Sequence, residues 1–152
     1  MMQPDLNLLR IVKCQGRHIR GVCDIEYRSF SNPFPEEYLI ELFRMFPETF
    51  LVAELDGQTV GYLVASVSGR RAHIISLAVD EKFRRRHVGS ILLQTLIDNL
   101  KANGVEEILL EVRLDNIAAR RLYEKFGFEA TGNLRGYYED GRDAALYRLR
   151  IY

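Results

Sequence analysis

The 152-residue chain is poor in the features that mark most specialised proteins. Its two cysteines, Cys14 and Cys23, make neither a disulfide framework nor a C-x-x-C metal or redox pair, so both read as small buried apolar residues. It carries no excess charge: 21 basic residues balance 21 acidic ones, which disfavours a nucleic-acid partner, because non-specific binding needs enough basic surface to displace counterions. No apolar run approaches the roughly 18 residues of a spanning helix, and MMQPDLNLLR lacks the charged, apolar and cleavage regions of a signal peptide. A soluble, cytoplasmic protein with no membrane partner is expected. Repeats, linkers and low-complexity tracts are missing too, as are a Ser-His-Asp arrangement and a metal-ligand cluster.

What is present is the composition and size of one ordinary globular domain, residues 1–152. Hydrophobic periodicity lays out its elements. LLRIVKC (8–14) suggests a strand, and residues 17–30 a helix with Ile19, Val22, Cys23 and Tyr27 along one face. SNPFP breaks it, and Pro35 starts a second helix, where its missing donor costs little. Residues 49–55 and 59–69 form a hairpin about Asp56-Gly57, a pair that accepts the positive φ angles of tight turns. A strand at 72–79, a helix at 88–103 and a strand at 106–113 follow. Asn116 can cap a helix bearing Ala119, Leu122, Tyr123 and Phe126, stopped by Gly127. Strands near 128–137 and 143–151 end the chain. The order β-α-α-β-β-β-α-β-α-β-β means an α/β fold, a mixed sheet flanked by helices.

FRRRHVGS, residues 83–90, lies between a strand and a helix. A nucleic-acid patch, a phosphate cradle and a solvated helix start compete for it. A strand running into a short basic loop and a helix gathers free backbone N–H groups at the positive helix end, which makes an anion site. Neither the P-loop pattern nor the dinucleotide pattern is met, because Gly89 is the only glycine there.

AHIISLAVDEKFRRRHVGSILLQTLI resembles the acetyl-coenzyme A motif of the GNAT superfamily of N-acetyltransferases, a loop of the form R/Q-x-x-G-x-G/A between a strand and a helix. Arg84 matches its first position, Gly89 its last, and His87 stands where the first glycine normally is. LEVRLDNIAARRLYEKFGFEATGNLRGYYEDGRDAALYRL is similar to the second cofactor motif as found in enzymes that acetylate protein N-termini: the ribosomal-protein alanine acetyltransferases and the NatA-type catalytic subunits. H-I-x-S-L-A-V at 73–79 looks more like the NatA-type subunits. The resemblance implies a mostly antiparallel mixed sheet of six to seven strands with about four helices, and acetyl-coenzyme A as cofactor.

The resemblance also implies residue roles. The amides of Arg85, Arg86, His87, Val88, Gly89 and Ser90 would hold the pyrophosphate, with Arg84 and the other arginine side chains as helpers. The backbone of Leu77, Ala78 and Val79 would pair with the pantetheine arm. Asn116 and Tyr123, seven apart and therefore on one helix face, would touch the same cofactor. Tyr123 would be the general acid for the departing thiolate, and Glu111 the general base, alone or with a water held at His73. Phe34, Glu36 and Tyr38, in an element like the P-E-N-Y of NatA-like enzymes, and the pair Tyr137 and Tyr138 would bind the peptide.

Each role competes with an ordinary structural one: Leu77 and Val79 as core, Tyr123 as a core tyrosine with its hydroxyl at the rim, Glu111 as a surface glutamate paired to Arg113 or to a neighbouring strand, and His87 as an exposed histidine. The expected reaction is direct transfer from acetyl-coenzyme A to an α-amino group of a peptide or protein. Ribosomal proteins stand among the substrates, and an auxiliary subunit or homodimer is left open. The alternatives are a dedicated ribosomal-protein alanine acetyltransferase, a lysine or small-amine acetylase, or a non-catalytic module that binds acyl-coenzyme A or nucleic acid.

Overall fold

The computed structural model describes residues 6–152. Seven strands and four helices follow one another there in the order read from the sequence. The strands are β1 (Arg10–Lys13), β2 (Phe50–Leu55), β3 (Gln58–Ser68), β4 (Arg71–Val79), β5 (Glu107–Arg113), β6 (Glu129–Leu134) and β7 (Ala144–Arg150). The helices are α1 (Ile19–Ser29), α2 (Glu36–Met45), α3 (Val88–Ala102) and α4 (Ile117–Lys125). Strands hydrogen-bond in the order β1-β2-β3-β4-β5-β7-β6. β4 and β5 pair in parallel, from Arg71–Glu107 to Ile74–Leu110, with α3 as the crossover that a parallel pair requires. The β1–β2, β2–β3, β5–β7 and β6–β7 pairs are antiparallel, so the sheet is mixed and mostly antiparallel, as expected.

Contacts gather the chain into two compact units, residues up to 65 with 76–96, and residues 66–75 with 97–152. In the first unit, β2 is buried along its whole length and β3 from Val60 to Ala65, a continuous apolar run covered on both faces. Asp56 and Gly57, at φ 50° and 77°, close the hairpin between them. Helix α3 lies close on β3 because Gly61 has no side chain. A β-carbon there would sit 3.2 Å from the Ala78 carbonyl oxygen and 3.3 Å from Leu92 Cδ1. Gly61 thereby fixes the height of α3 and of the loop that opens it.

Helix α1 corrects the sequence reading. Its buried face carries Ile19, Val22, Ile25 and Glu26, while Tyr27 is 74% exposed and Cys23 half-buried. A glutamate takes a core position because three hydrogen-bond donors meet it there. Cys14 is buried and its thiol is pushed up to about 12, chiefly by burial.

In the second unit, β5 alternates strictly. Ile108, Leu110 and Val112 are buried, and Glu107, Leu109, Glu111 and Arg113 share the other, partly open face. β6 is exposed throughout and stops at Leu134, sooner than the sequence pattern implies, so Tyr137 and Tyr138 stand in the loop before β7. Gly136, at φ 62°, turns the chain there. On α4 only Tyr123 is buried. Among the described residues no helix is long and apolar enough to cross a membrane.

Candidate active site

The loop after β4 is shaped by backbone before side chains. The Asp80 N–H donates to the Val60 carbonyl at 2.8 Å, so the alternation of a strand turns the backbone of Ala78 to β3 as well. Leu77 and Val79 address the opposite edge. There the Val79 carbonyl accepts Arg84 Nε at 3.0 Å, and Arg84 Nη2 reaches Ser29 Oγ at 3.4 Å. Arg84 is thus a brace that folds the loop back on its strand. Arg85 and His87 both take left-handed backbone, at φ 63° and 64°. The first helical bond of α3 runs from the Ile91 N–H to the His87 carbonyl at 2.9 Å, and the amides of Val88, Gly89 and Ser90 precede it. Left-handed residues just before a helix N-terminus are the backbone of an anion-binding concavity.

The open face of β4 and β5 in the second unit carries a hydrogen-bonded histidine–glutamate pair. His73 is registered opposite Leu109, and Glu111 is two residues further along on the same face. His73 Nε2 and Glu111 Oε2 are 2.5 Å apart, and the Tyr137 hydroxyl donates to Glu111 Oε1 at 3.2 Å. The hydrogen bond to His73 holds the Glu111 carboxyl below its ordinary value against the opposing effect of burial. The same bond raises His73, again against burial. Tyr137 meets Tyr138 edge-on at 5.0 Å. Arg113 lies 4.4 Å over the Tyr138 ring and bonds Asp140 at 2.7 Å, while Glu111 pairs with His73 of the neighbouring strand, the second of the two structural pairings expected for it. Burial, then the neighbouring Tyr137, push the Tyr138 hydroxyl up to about 12.

Three tyrosines are almost wholly buried, and they differ at the hydroxyl. Tyr147 accepts from Arg120 Nε at 3.0 Å and donates to Glu124 Oε2 at 2.8 Å. Tyr62 donates to Glu26. Tyr123 is 6% exposed, with its ring against Phe128 and Tyr147, yet among the described residues its hydroxyl makes no hydrogen bond. No fully enclosed side-chain oxygen or nitrogen in the described residues lacks a partner, so the Tyr123 oxygen must keep a patch of accessible surface. Burial first, and then Tyr138, raise this hydroxyl well above the phenol range. A satisfied core tyrosine looks like Tyr147; Tyr123 differs from it in a hydroxyl with no partner among the described residues.

Residues 19–128 match the acetyltransferase (GNAT) family. The chain belongs to the GNAT family of acetyltransferases. It is 40% identical over 138 residues to the uncharacterized N-acetyltransferase MJ1530 of Methanocaldococcus jannaschii, covering 90% of this chain and 88% of that one. It is 36% identical over 150 residues to an N-alpha-acetyltransferase of Sulfurisphaera tokodaii, covering 90% of each. Its fold matches that of Ard1 from Thermoplasma volcanium with a TM-score of 0.92 at 33% identity, over 95% of this chain and 99% of that one. The protein is accordingly a GNAT-type N-acetyltransferase with acetyl-coenzyme A as its acetyl donor.

The residues present fit that donor. The left-handed loop with its leading helix amides suits a pyrophosphate, the Leu77 and Val79 edge suits an amide-bearing arm, and the Tyr123 hydroxyl is unspent. Asn116 is placed differently from Tyr123: it is exposed and its Oδ1 caps α4 by accepting the Ala119 N–H at 3.1 Å. In the first unit Phe34 and Tyr38 are both exposed, their rings 4.8 Å apart, flanking Glu36 in the first turn of α2. Sequence reasoning missed Glu26, Tyr62 and Ser76, which meet behind this loop. The only local signal was a glutamate at a core position of an apolar helix face.

Proposed function

We propose that the protein is a single-domain N-terminal acetyltransferase acting on the α-amino group of peptides or proteins, in the cytoplasm. The observation that carries the reading is the His73–Glu111 pair with Tyr137 on its second carboxyl oxygen: a proton acceptor bordered by two tyrosines able to bond a peptide backbone. The N-alpha-acetyltransferase of Sulfurisphaera tokodaii among its relatives supports it.

Acetyl-coenzyme A supplies the acetyl group as a thioester. In this reading the amides of Arg85–Ser90 hold its pyrophosphate, and the backbone of Leu77 and Val79 aligns its arm. An α-amine has a pKa near 8, so a good fraction is already neutral at pH 7 to 8, and a modest base is enough. His73 and Glu111 act as one acceptor: Glu111 fixes the imidazole, and the pair takes the proton released as the nitrogen bonds the acetyl carbon. Tyr123 Oη meets the sulfur as the carbon–sulfur bond breaks. With its pKa raised, the phenol lies above a thiol near 8.5, so it stabilises the developing thiolate first by hydrogen bonding, and the proton it holds follows as the product leaves. Phe34, Glu36, Tyr38 and Tyr138 complete the peptide site.

A panel of short peptides with free amino termini, varied at the first two positions, tests this. Coenzyme A release with peptides and none with N-blocked, lysine-containing controls is the expected result. Acetylation of lysine or small amines alone overturns it, and activity confined to alanine-first peptides of ribosomal sequence narrows it to the ribosomal alternative.

A further inference from the structure

Behind the loop that carries Phe34 and leads into α2, with Glu36 and Tyr38 in its first turn, lies a buried polar cluster. Glu26 on α1 is 2% exposed. Its Oε2 accepts the Phe34 N–H at 3.0 Å. Its Oε1 accepts the Tyr62 hydroxyl, from β3, and the Ser76 hydroxyl, from β4, at 3.1 Å, and those two hydroxyls are 3.0 Å apart. A buried carboxyl group is costly unless its lone pairs are met, and here three donors converge on it. Burial, and then the Glu26 carboxyl itself, drive the Tyr62 hydroxyl far above the phenol range.

One of the three donors differs in kind from the other two. Tyr62 and Ser76 sit in the rigid sheet, whereas the Phe34 N–H belongs to the irregular stretch between α1 and α2. Phe30 leaves α1 with extended backbone, and Pro35 at the start of α2 is extended too. Ser76 is next to Leu77, the first of the two edge positions of β4. A single carboxyl group therefore ties the loop bearing Phe34, whose ring meets Tyr38 of α2, to the strand beside that edge.

We propose that Glu26 is a positioning residue for the peptide substrate: by anchoring the Phe34 N–H on the carboxyl that also accepts the Tyr62 and Ser76 hydroxyls, it sets the loop that presents Phe34 and leads into the first turn of α2 with Glu36 and Tyr38. This rests on the peptide-acetylating function proposed above. Preorganising a loop lowers the ordering cost of binding, so its loss appears in peptide affinity more than in chemistry.

Glu26→Met keeps length and apolar volume but accepts no hydrogen bond. Glu26→Gln keeps one oxygen for the Phe34 N–H, while its amide donates to the two hydroxyls, which can rotate to accept. In E26M the peptide KM should rise tenfold or more, with kcat within threefold of wild type and acetyl-coenzyme A affinity unchanged. E26Q should restore the peptide KM to within threefold. Hydrogen exchange at the Phe34 amide should quicken in E26M and stay slow in E26Q. The proposal is overturned if E26M binds peptide as wild type does, if E26Q is as impaired as E26M, or if kcat, KM and cofactor affinity all decline together. Should E26M fail to fold, Tyr62→Phe is read the same way: a peptide KM at least threefold higher supports the role, and an unchanged one removes it. Wild type that turns over no peptide removes the functional reading and this inference together, whereas an active wild type with an indifferent E26M removes only the inference.

Discussion

Tyr123 and Tyr147 are neighbours with equally buried rings, and the hydroxyl alone separates their roles. Tyr147 spends its oxygen on Arg120 and Glu124, while Tyr123 bonds nothing among the described residues. Removing an unpaired hydroxyl costs a fold little, and removing a paired one strands its partners. Tyr123→Phe should therefore leave Tm and acetyl-coenzyme A affinity nearly unchanged while lowering kcat about a hundredfold or more, the range of a lost proton donor. Tyr147→Phe should do the reverse, lowering Tm with kcat per folded molecule retained. Stopped-assay turnover, calorimetric titration with the cofactor and thermal melts read all three quantities; equal losses of turnover and affinity in Y123F would return Tyr123 to the core. Tyr123 was legible in the sequence because it lies in the string L-Y-E-K-F-G-F. Glu26 was not, because what makes it a core residue comes from partners 36 and 50 positions away, and on a helical wheel the apolar Tyr27 looked the better candidate.

At the scale of elements, the hydrophobic repeats and the turn residues specified nearly everything. Asp56-Gly57 and Asn116 lie where their backbone or capping chemistry requires, and the element order held. The ends of strands were less legible: β6 stops before the tyrosine pair because Gly136 turns the chain, which no periodicity records. The loop from Arg84 to Ser90 shows why a motif can survive a broken letter. His87 replaces the usual glycine of the resemblance, yet it takes the φ of 64° that glycine takes freely, at a cost of about 1–2 kcal/mol for an L-residue. The shape of the loop is therefore enforced by its surroundings: the Arg84 brace on one side and the start of α3, seated over Gly61, on the other. His87→Gly removes that strain but frees the unfolded chain, two effects of similar size and opposite sign. The variant should keep its Tm within a few degrees and bind acetyl-coenzyme A as tightly as wild type or more so. A tenfold loss in a calorimetric titration would show instead that the imidazole itself is a ligand.

Across the whole molecule, the shifted groups define a pH range over which the fold is stable. Glu54, held down first by His18 and then by Arg17, Glu111, held down by His73, and Asp140, held down by the Arg142 backbone and Arg113, all lie below their ordinary values. A lowered carboxyl contributes stability that is present above its unfolded value and lost as pH falls through the folded one. These three therefore weaken the fold only below about pH 5. Tyr62, Tyr123, Tyr137, Tyr138 and Cys14 are shifted the other way, with burial the first cause in each. Their contribution is complete below the unfolded value and is lost as pH rises toward the folded one, above about pH 9 to 10. His73, raised by Glu111, is the exception inside the range: its share is full below 6.5 and declines as pH climbs through its raised pKa. Tm should therefore be nearly level from about pH 5 to about pH 9, with a shallow decline past neutrality, and should fall steeply above pH 10. On that alkaline limb Tyr62 and Tyr123, both raised chiefly by burial, should ionise only as the fold opens, so that their rise in tyrosinate absorbance coincides with the loss of far-ultraviolet circular dichroism. Ionisation of Tyr62 and Tyr123 near pH 10 with the circular dichroism intact would mean that these rings are not enclosed as the fold requires, and the proton held at Tyr123 would lose its physical basis.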